Sequence, residues 1–222
     1  MDNTNKSEEK KRFQKRLLRH HLPLFFASLG SVLLILAFYE SPDLISNISI
    51  STAYPGLALL AATLIISPLQ KILSRPNPVS TDFRRDLGFW AAVVSLVHVV
   101  FGLQVHMRGR MWLLFLDKGM DFPYLRFDLF GAANYSGLMA TFILVILFAT
   151  SNDRSLNALG WKKWKRLQRW NYILFIVVIL HGVLYQVIEK RVAPYTYIFA
   201  GIGLIVVIIR IAGFLSRKRR RA

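Results

Sequence analysis

The sequence predicts an all-α integral membrane protein, a six-transmembrane-helix bundle with its N- and C-termini in the cytoplasm. First, six apolar runs along the 222 residues are long enough to cross a hydrocarbon core of about 30 Å, which takes about 20 helical residues. Second, the formal charge of +17 is concentrated between these runs. Third, the chain has no cysteine, which excludes disulfides, thiolate-bound metals, iron–sulfur clusters and cofactors attached through cysteine.

The basic N-terminus precedes the first apolar run. From about Glu9 it can form an amphipathic helix on the membrane surface. A secretory signal is the alternative, but no small residues suited to cleavage follow Phe38 and five more apolar runs come after it. We therefore predict that the first span is retained. The predicted parts are a basic cytoplasmic arm, a six-span domain and a basic cytoplasmic tail: 1–21, 22–213 and 214–222.

The apolar runs define the predicted spans. No internal repeat or low-complexity linker separates them, so they form one membrane domain. In chain order the spans are about 22–39, 52–69, 87–105, 129–150, 171–188 and 194–213. Prolines near span ends cost little helical hydrogen bonding. These prolines are Pro23, Pro55, Pro68 and Pro194.

Lysine and arginine determine the predicted orientation. Six spans put the arm, the 70–86 and 151–170 loops and the C-terminal segment on one side. With Arg210 counted in the C-terminal segment, that side holds 23 of the 29 Lys and Arg residues. The positive-inside rule makes it cytoplasmic, and the final SRKRRRA fits a cap against an anionic leaflet. Basic residues clustered between apolar runs also argue against a nucleic-acid partner.

The longest outer loop covers residues 106–128. Its middle, MWLLFLDKGM, is too short to span the bilayer and too apolar to lie free in water. We predict a short interfacial or re-entrant piece that covers the outer face.

Two histidines lie deep inside apolar spans. His98 is eleven residues past Leu87, and His181 is ten residues past Asn171. At about 1.5 Å per residue these depths are roughly 17 and 15 Å. Both spans run from inside to outside, so the two depths are counted from the same surface. An imidazole in hydrocarbon is costly and usually functional.

Small residues accompany both histidines. Ser95 and Gly102 share the helical face of His98, and Gly182 follows His181. They leave room for a flat macrocycle, so the pattern favours a haem b held by two neutral imidazoles. The alternative is that each histidine only bonds a carbonyl or hydroxyl across the bundle. Zinc or copper is less favoured, because neither span contains an acidic residue, a cysteine or a further histidine as a third ligand.

The other histidines do not suggest a second pair. His106, at the outer end of its span, is interpreted as an interface residue. His20 and His21 precede the first span, and we expect them to be solvated or in contact with headgroups. They lie on the opposite side of the membrane from His106. The sequence therefore supports one bis-histidine haem and not two.

Four stretches resemble the ferric-reductase-like transmembrane domain family. In order they are AATLIISPLQKIL, FRRDLGFWAAVVSLVH, LFATSN and WKKWKRLQRWNYILFIVVILH. The family includes NADPH oxidases, ferric reductases and the haem-binding membrane subunit of the bacterial methionine sulfoxide reductase system. The resemblance covers about residues 50–212, and its layout is nearest to the last of these proteins.

The resemblance implies that His98 and His181 are the axial ligands of a single b-type haem. Family members with two haems carry a further histidine earlier on each helix. Here the corresponding positions hold poor haem ligands, so the inner haem is expected to be absent. Those positions are Arg84 or Arg85 and Leu167 or Gln168. No cytosolic FAD and NADPH domain is expected after the sixth span, so electrons are expected from a separate reductase, a quinol or a flavin at the inner face.

Basic and aromatic residues alternate at that inner face. They can bind a flavin such as FMN by charge and stacking, or dock a quinol head or an acidic reductase. The alternative is ordinary positive-inside anchoring with tryptophans at the interface. The residues concerned are Arg84, Arg85, Lys162, Lys163, Trp164 and Lys165. On the outer side, Arg108 and Arg110 are candidates for contacts with haem propionates.

The predicted function is electron transfer across a bacterial inner membrane through one haem. The donor is on the cytoplasmic side or is a quinol, and the acceptor is on the outer side, such as a periplasmic sulfoxide reductase. A stand-alone ferric or oxygen reductase of the same family is one alternative. A non-redox transporter or scaffold is another, although transporters normally have broken helices or more polar residues at mid-depth.

Overall fold

The computed structural model describes residues 7, 11–39, 41, 43–73, 81–106, 110–118, 123–191 and 193–219. In this part of the chain, six helical segments are long and apolar enough to cross a membrane, and the helix α5 is polar. The predicted all-α, six-span fold is therefore confirmed. The helices are α1 (Leu22–Phe38), α2 (Leu44–Ile72), α3 (Thr81–Val105), α4 (Leu129–Thr150), α5 (Asp153–Gln168), α6 (Trp170–Ile188) and α7 (Tyr195–Arg219).

The first span continues the helix of the basic arm. Residues 11–16 are helical, Leu17–His21 form a short π-helix, and α1 follows without a break. The surface helix expected in the arm is therefore part of one helix, Lys11–Phe38, and not a separate element.

The second span is longer than its apolar run. Helix α2 begins at Leu44 and not at Thr52, because Asp43 accepts hydrogen bonds from two backbone N–H groups of the first turn. The polar stretch expected as loop is helical. Hydroxyls such as that of Thr52 donate to carbonyls one turn earlier and are satisfied within the helix. Pro55 consequently lies inside α2 and not near its end.

Helix α2 is the centre of the bundle. Of its apolar window 56% is buried, against at most 28% in the other spans. It packs along α3 and α7, and α4 packs along α6. Because lipid tails are as apolar as leucine, helix association in a bilayer depends on close contact at small residues. A Cβ at Gly56 would lie 2.8 Å from Ser95 Oγ on α3, and one at Gly213 of α7 would lie 2.6 Å from Pro68 Cβ. Both crossings require glycine.

The loop between α3 and α4 folds against α4. It contains a 3₁₀-helix, Met111–Leu114, and an antiparallel hairpin of β1 (Leu116–Lys118) and β2 (Pro123–Leu125). Leu114 is buried, and the Tyr135 hydroxyl donates to the Phe115 carbonyl at 2.6 Å. We name the end of the bundle that carries this hairpin the outer end, and the end that carries α5 the inner end.

Two carboxylates at the start of α3 hold the basic arm. Arg12 Nη2 lies 2.8 Å from Asp82 Oδ1, and Arg16 pairs with Asp86. Both helices space their residues four apart, so the two pairs form on facing sides. The arm is thereby joined to the inner end of α3.

Asp86 also binds both histidines of the arm. His20 Nδ1 lies 2.7 Å from its Oδ2, and His21 Nε2 lies 3.3 Å from its Oδ1. The expectation that His20 and His21 are solvated or in contact with headgroups is therefore wrong. Asp86 is only 1% exposed, and a carboxylate removed from water needs several donors. A local sequence pattern does not show that burial.

Replacing Asp86 should detach the arm. The Asp86→Ala variant leaves Arg16 half-buried without its carboxylate, which we expect to cost about 3–5 kcal/mol. Asp82→Ala is the matched control: its partner Arg12 is mostly exposed, so the loss should be about 0–1 kcal/mol. Thermal unfolding in detergent and trypsin cleavage within the arm measure both effects. Equal stability and equal cleavage in the two variants would contradict this account.

Six crossings put both ends of the chain on one side, and the charge distribution predicts that this side is the cytoplasm. A reporter fused after Ala222 should be active only in its cytoplasmic form. The same reporter inserted after Ser41, in the connection between α1 and α2, should be active only in its exported form. The reverse result would overturn the orientation and leave the six-helix fold unaffected.

Candidate functional site

The two buried histidines face one cavity. His98 on α3 and His181 on α6 have ring centroids 6.3 Å apart, with ring planes at 72°. Both line a largely apolar cavity of about 390 Å³ within the bundle, a size suited to a cofactor. The sequence places the two histidines at similar depths in separate spans, and the fold brings their rings close together.

Each imidazole is oriented by a backbone carbonyl of a neighbouring helix. His98 Nδ1 lies 2.9 Å from the carbonyl oxygen of Ser49 on α2, and His181 Nδ1 lies 2.8 Å from that of Ala133 on α4. A carbonyl only accepts, so Nδ1 carries the proton and Nε2 keeps its lone pair. Among the described residues neither Nε2 has a hydrogen-bond partner. In both rings Nε2 is therefore free to bind a metal. The bond from Nδ1 to a carbonyl is the additional hydrogen bond that metal-ligating histidines normally make.

The spacing fits one metal ion with two axial imidazoles. A separation of 6.3 Å between ring centroids corresponds to two metal–nitrogen bonds of about 2 Å each, plus the distance from each ring centre to its nitrogen. No group of three or more His, Asp or Glu side chains suited to a metal ion occurs in the described part of the chain. A macrocycle could supply the remaining ligands, so the residues fit a haem.

Small residues flank the imidazoles. A Cβ at Gly102 would lie 3.8 Å from the His98 ring, and one at Gly137 would lie 2.9 Å from the His181 ring. Ser95 also lines the cavity. Gly182 lies against Phe199 of α7, where a Cβ would be 2.3 Å from the ring. Gly137 is not apparent from the sequence, because its contact with His181 depends on how α4 is rotated.

A second layer of aromatic residues lies about one helical turn closer to the outer end. His106 stacks on Tyr185, with ring centroids 6.0 Å apart, and Tyr185 lies 5.0 Å from the His181 ring. His106 Nε2 is 3.4 Å from Glu189 Oε1. Burial lowers the pKa of His106, although the charge of Glu189 opposes the shift. The sequence-based interpretation of His106 as an interface residue omits this packing.

A different arginine from those proposed lies at the cavity mouth. Arg191, three residues past the end of α6, lines the cavity together with Tyr39. Arg110 is exposed and does not line it, and Arg108 lies outside the described residues. The sequence shows that Arg191 closely follows the end of a span. It does not show that the chain turns back towards the cavity there.

A second cavity, of about 1060 Å³, lies at the inner end. Four members of the predicted basic cluster line it: Arg84, Arg85, Trp164 and Lys165. Trp161 lines it as well. Lys162 and Lys163 are exposed outside it. The cluster is therefore divided between a cavity wall and an open surface.

The inner cavity contains donors without partners. Arg84 Nε, Arg85 Nε and Gln168 Nε2 are buried and have no hydrogen-bond partner among the described residues. Such groups are costly unless a ligand or water accepts from them. The Trp164 indole donates to the Thr150 carbonyl at 2.9 Å, which joins α5 to the end of α4. The exposed Trp161 stacks on Trp164, and Lys165 Nζ lies 5.3 Å from its ring centroid.

Comparison with known proteins finds one family model and a set of similar curated proteins. The model of the family described as ferric reductase like transmembrane component matches residues 52–179, more than half of the chain, and includes His98. Among curated proteins, the protein-methionine-sulfoxide reductase heme-binding subunit MsrQ of Salmonella arizonae is 27% identical over 179 residues, which are 81% of this chain and 82% of the relative. The proteins of the same name from Salmonella paratyphi B and Salmonella newport are each 26% identical over 174 residues, 78% of this chain and 80% of the relative.

These findings confirm the predicted location, since six membrane-spanning helices occur together with relatives from bacteria. The chain is a multi-pass protein of the bacterial inner membrane. It belongs to the ferric reductase-like transmembrane component family.

Proposed function

We propose that this chain binds one haem b between His98 and His181 and that electrons cross the membrane through it. The observation that carries the proposal is the facing pair of imidazoles, each bonded through Nδ1 and 6.3 Å apart across an apolar cavity. The names of the relatives, which describe heme-binding subunits, support it. His98 and His181 would hold the haem, which would supply a one-electron carrier.

The chain's own residues prepare the site. The carbonyls of Ser49 and Ala133 fix the tautomer and the orientation of both rings, which makes each Nε2 a better ligand. Apolar side chains such as Leu57, Leu144 and Val178 line the cavity and keep water away from the redox centre. These residues hold the haem and shield it from water, and we assign no catalytic residue.

The inner cavity is our proposed entry point for electrons. Its unpartnered donors on Arg84, Arg85 and Gln168 suit the phosphate or carbonyl oxygens of FMN or the carbonyls of a quinone. The exposed Lys162 and Lys163 suit an acidic reductase that docks beside it. On the outer side we propose a periplasmic oxidoreductase as acceptor, because the relatives are named as subunits of a sulfoxide reductase.

Replacing either ligand should abolish haem binding. His98→Ala and His181→Ala should each be purified without haem, because a single imidazole does not complete the axial pair. His106→Ala is the matched control in the next layer and should retain one haem per chain. A pyridine haemochrome assay measures the content. Haem retained in both ligand variants, or two haems per wild-type chain, would contradict the proposal.

Charge reversal at the inner surface should slow electron entry. With an acidic reductase as donor, Lys162→Glu with Lys163→Glu should lower the rate of haem reduction roughly tenfold at low salt, and the difference should shrink as salt rises. Stopped-flow absorbance measures the rate. Lys118→Glu, on the outer hairpin, is the matched control and should have no effect.

The Arg84→Gln variant tests the role of the inner cavity independently of the exposed lysines. It should reduce the amount of FMN or quinone that is purified with the protein, whereas the lysine substitutions should not, because these lysines lie outside the cavity. Extraction followed by chromatography measures bound cofactor. If neither the rate nor the cofactor content responds to these substitutions, the basic cluster serves topology alone.

A further inference from the structure

The chain turns back over the outer cavity immediately after α6. Lys190 has a φ of 46°, a left-handed conformation that is uncommon for a residue with a side chain. The Arg191 N–H then donates to the carbonyl of Gln186 at 3.1 Å. This turn brings Arg191 to the cavity mouth instead of leading it away from the bundle. Strained backbone of this kind persists only where its surroundings hold it.

Side chains around the turn fix its position. The Thr196 hydroxyl lies 2.9 Å from the Arg191 carbonyl and 3.0 Å from Gln186 Oε1. Gln186 Nε2 in turn donates to the Tyr54 hydroxyl of α2 at 3.3 Å. The position of Arg191 is therefore determined by α2, α6 and α7 together.

The guanidinium itself is poorly satisfied. Its contact with a described side chain is a long hydrogen bond of 3.5 Å from Nη1 to the Tyr39 hydroxyl. No carboxylate of the described residues lies within ion-pair distance of it; Glu189 Oε1 lies 3.4 Å from His106 Nε2 instead. Guanidinium carries five N–H donors, and a partly buried charge without a partner is costly. The mouth of an apolar cavity thus carries a cation for which the described residues supply no anion.

We propose that Arg191 binds a carboxylate of the molecule that occupies the cavity, namely a haem propionate. The inference rests on the proposed function. Propionates are the two anionic groups of haem b, and their charge favours the aqueous end of a membrane cavity. Guanidinium binds carboxylates with paired hydrogen bonds, and the hydroxyl of Tyr39 adds a further donor at the same place. This assignment replaces Arg110, which lies outside the cavity.

Esterified haem tests the proposal directly. Haem and its dimethyl ester have the same macrocycle and iron, but the ester lacks both carboxylates. The full-length chain, produced under haem limitation and purified in detergent, is titrated with each compound and followed by visible absorbance. Wild type should bind haem about ten- to hundredfold more tightly than the ester, the difference expected for a charge-assisted hydrogen bond. Arg191→Gln should bind both compounds with similar affinity, close to that of wild type for the ester.

Two further variants complete the experiment. Arg110→Gln, the matched control, should keep the wild-type preference for haem. Arg191→Lys keeps the charge but loses the paired geometry, so its preference should lie between wild type and Arg191→Gln, and it decides the question if the glutamine variant does not fold.

The possible failures are distinguishable. If wild type binds haem and ester equally, Arg191 does not bind a propionate, and the inference is wrong. It is also wrong if Arg191→Gln keeps the full preference. If wild type binds neither compound, the proposed function itself fails.

Discussion

The hydrogen bonds from His98 and His181 to backbone carbonyls are the contacts on which the site depends. A polar ring in the middle of a bilayer must find its partner inside the protein. Each bond joins one helix pair: Ser49 of α2 to His98 of α3, and Ala133 of α4 to His181 of α6. Helix α2 also packs along α3, and α4 along α6. The bundle therefore contains two pairs of helices, each holding one imidazole that lines the cavity.

The inner end is organised by three consecutive charged residues at the start of α3. Arg84 donates to Gln70 of α2, Arg85 to Asp153 of α5, and Asp86 accepts from the basic arm. Successive residues of a helix point about 100° apart, so one turn can reach three different elements. The same turn of α3 also lines the inner cavity. The arm, α5 and the cavity wall are therefore all held in place by this one turn.

How far the sequence predicts the structure depends on where the information lies. The fourth span has its predicted bounds because an apolar run between polar ends defines it. The start of α2 is missed because its serines are polar in sequence but satisfied within the helix. Helix α5 is missed because it lies in a polar connecting segment, where its cap Asn152 gives only a local signal. The histidine pair follows from depth alone, whereas Gly137 and Arg191 depend on helix rotation and on a left-handed turn at Lys190.

The two cavities suggest how this chain, with the single haem that we propose, would differ from family members with two. The positions that hold an inner haem's histidines in two-haem members here correspond to Arg84 or Arg85 and to Leu167 or Gln168. Of these, the two arginines and Gln168 line a cavity of about 1060 Å³. Guanidinium has no lone pair for a metal and is a donor only, and the buried amide nitrogen of Gln168 likewise only donates. The inner cavity thus offers space lined by hydrogen-bond donors, where the resemblance to two-haem members would lead one to expect metal ligands. Such a wall suits a carrier that presents oxygen atoms, and this is the physical reason for placing a flavin or quinone before one haem instead of a second haem.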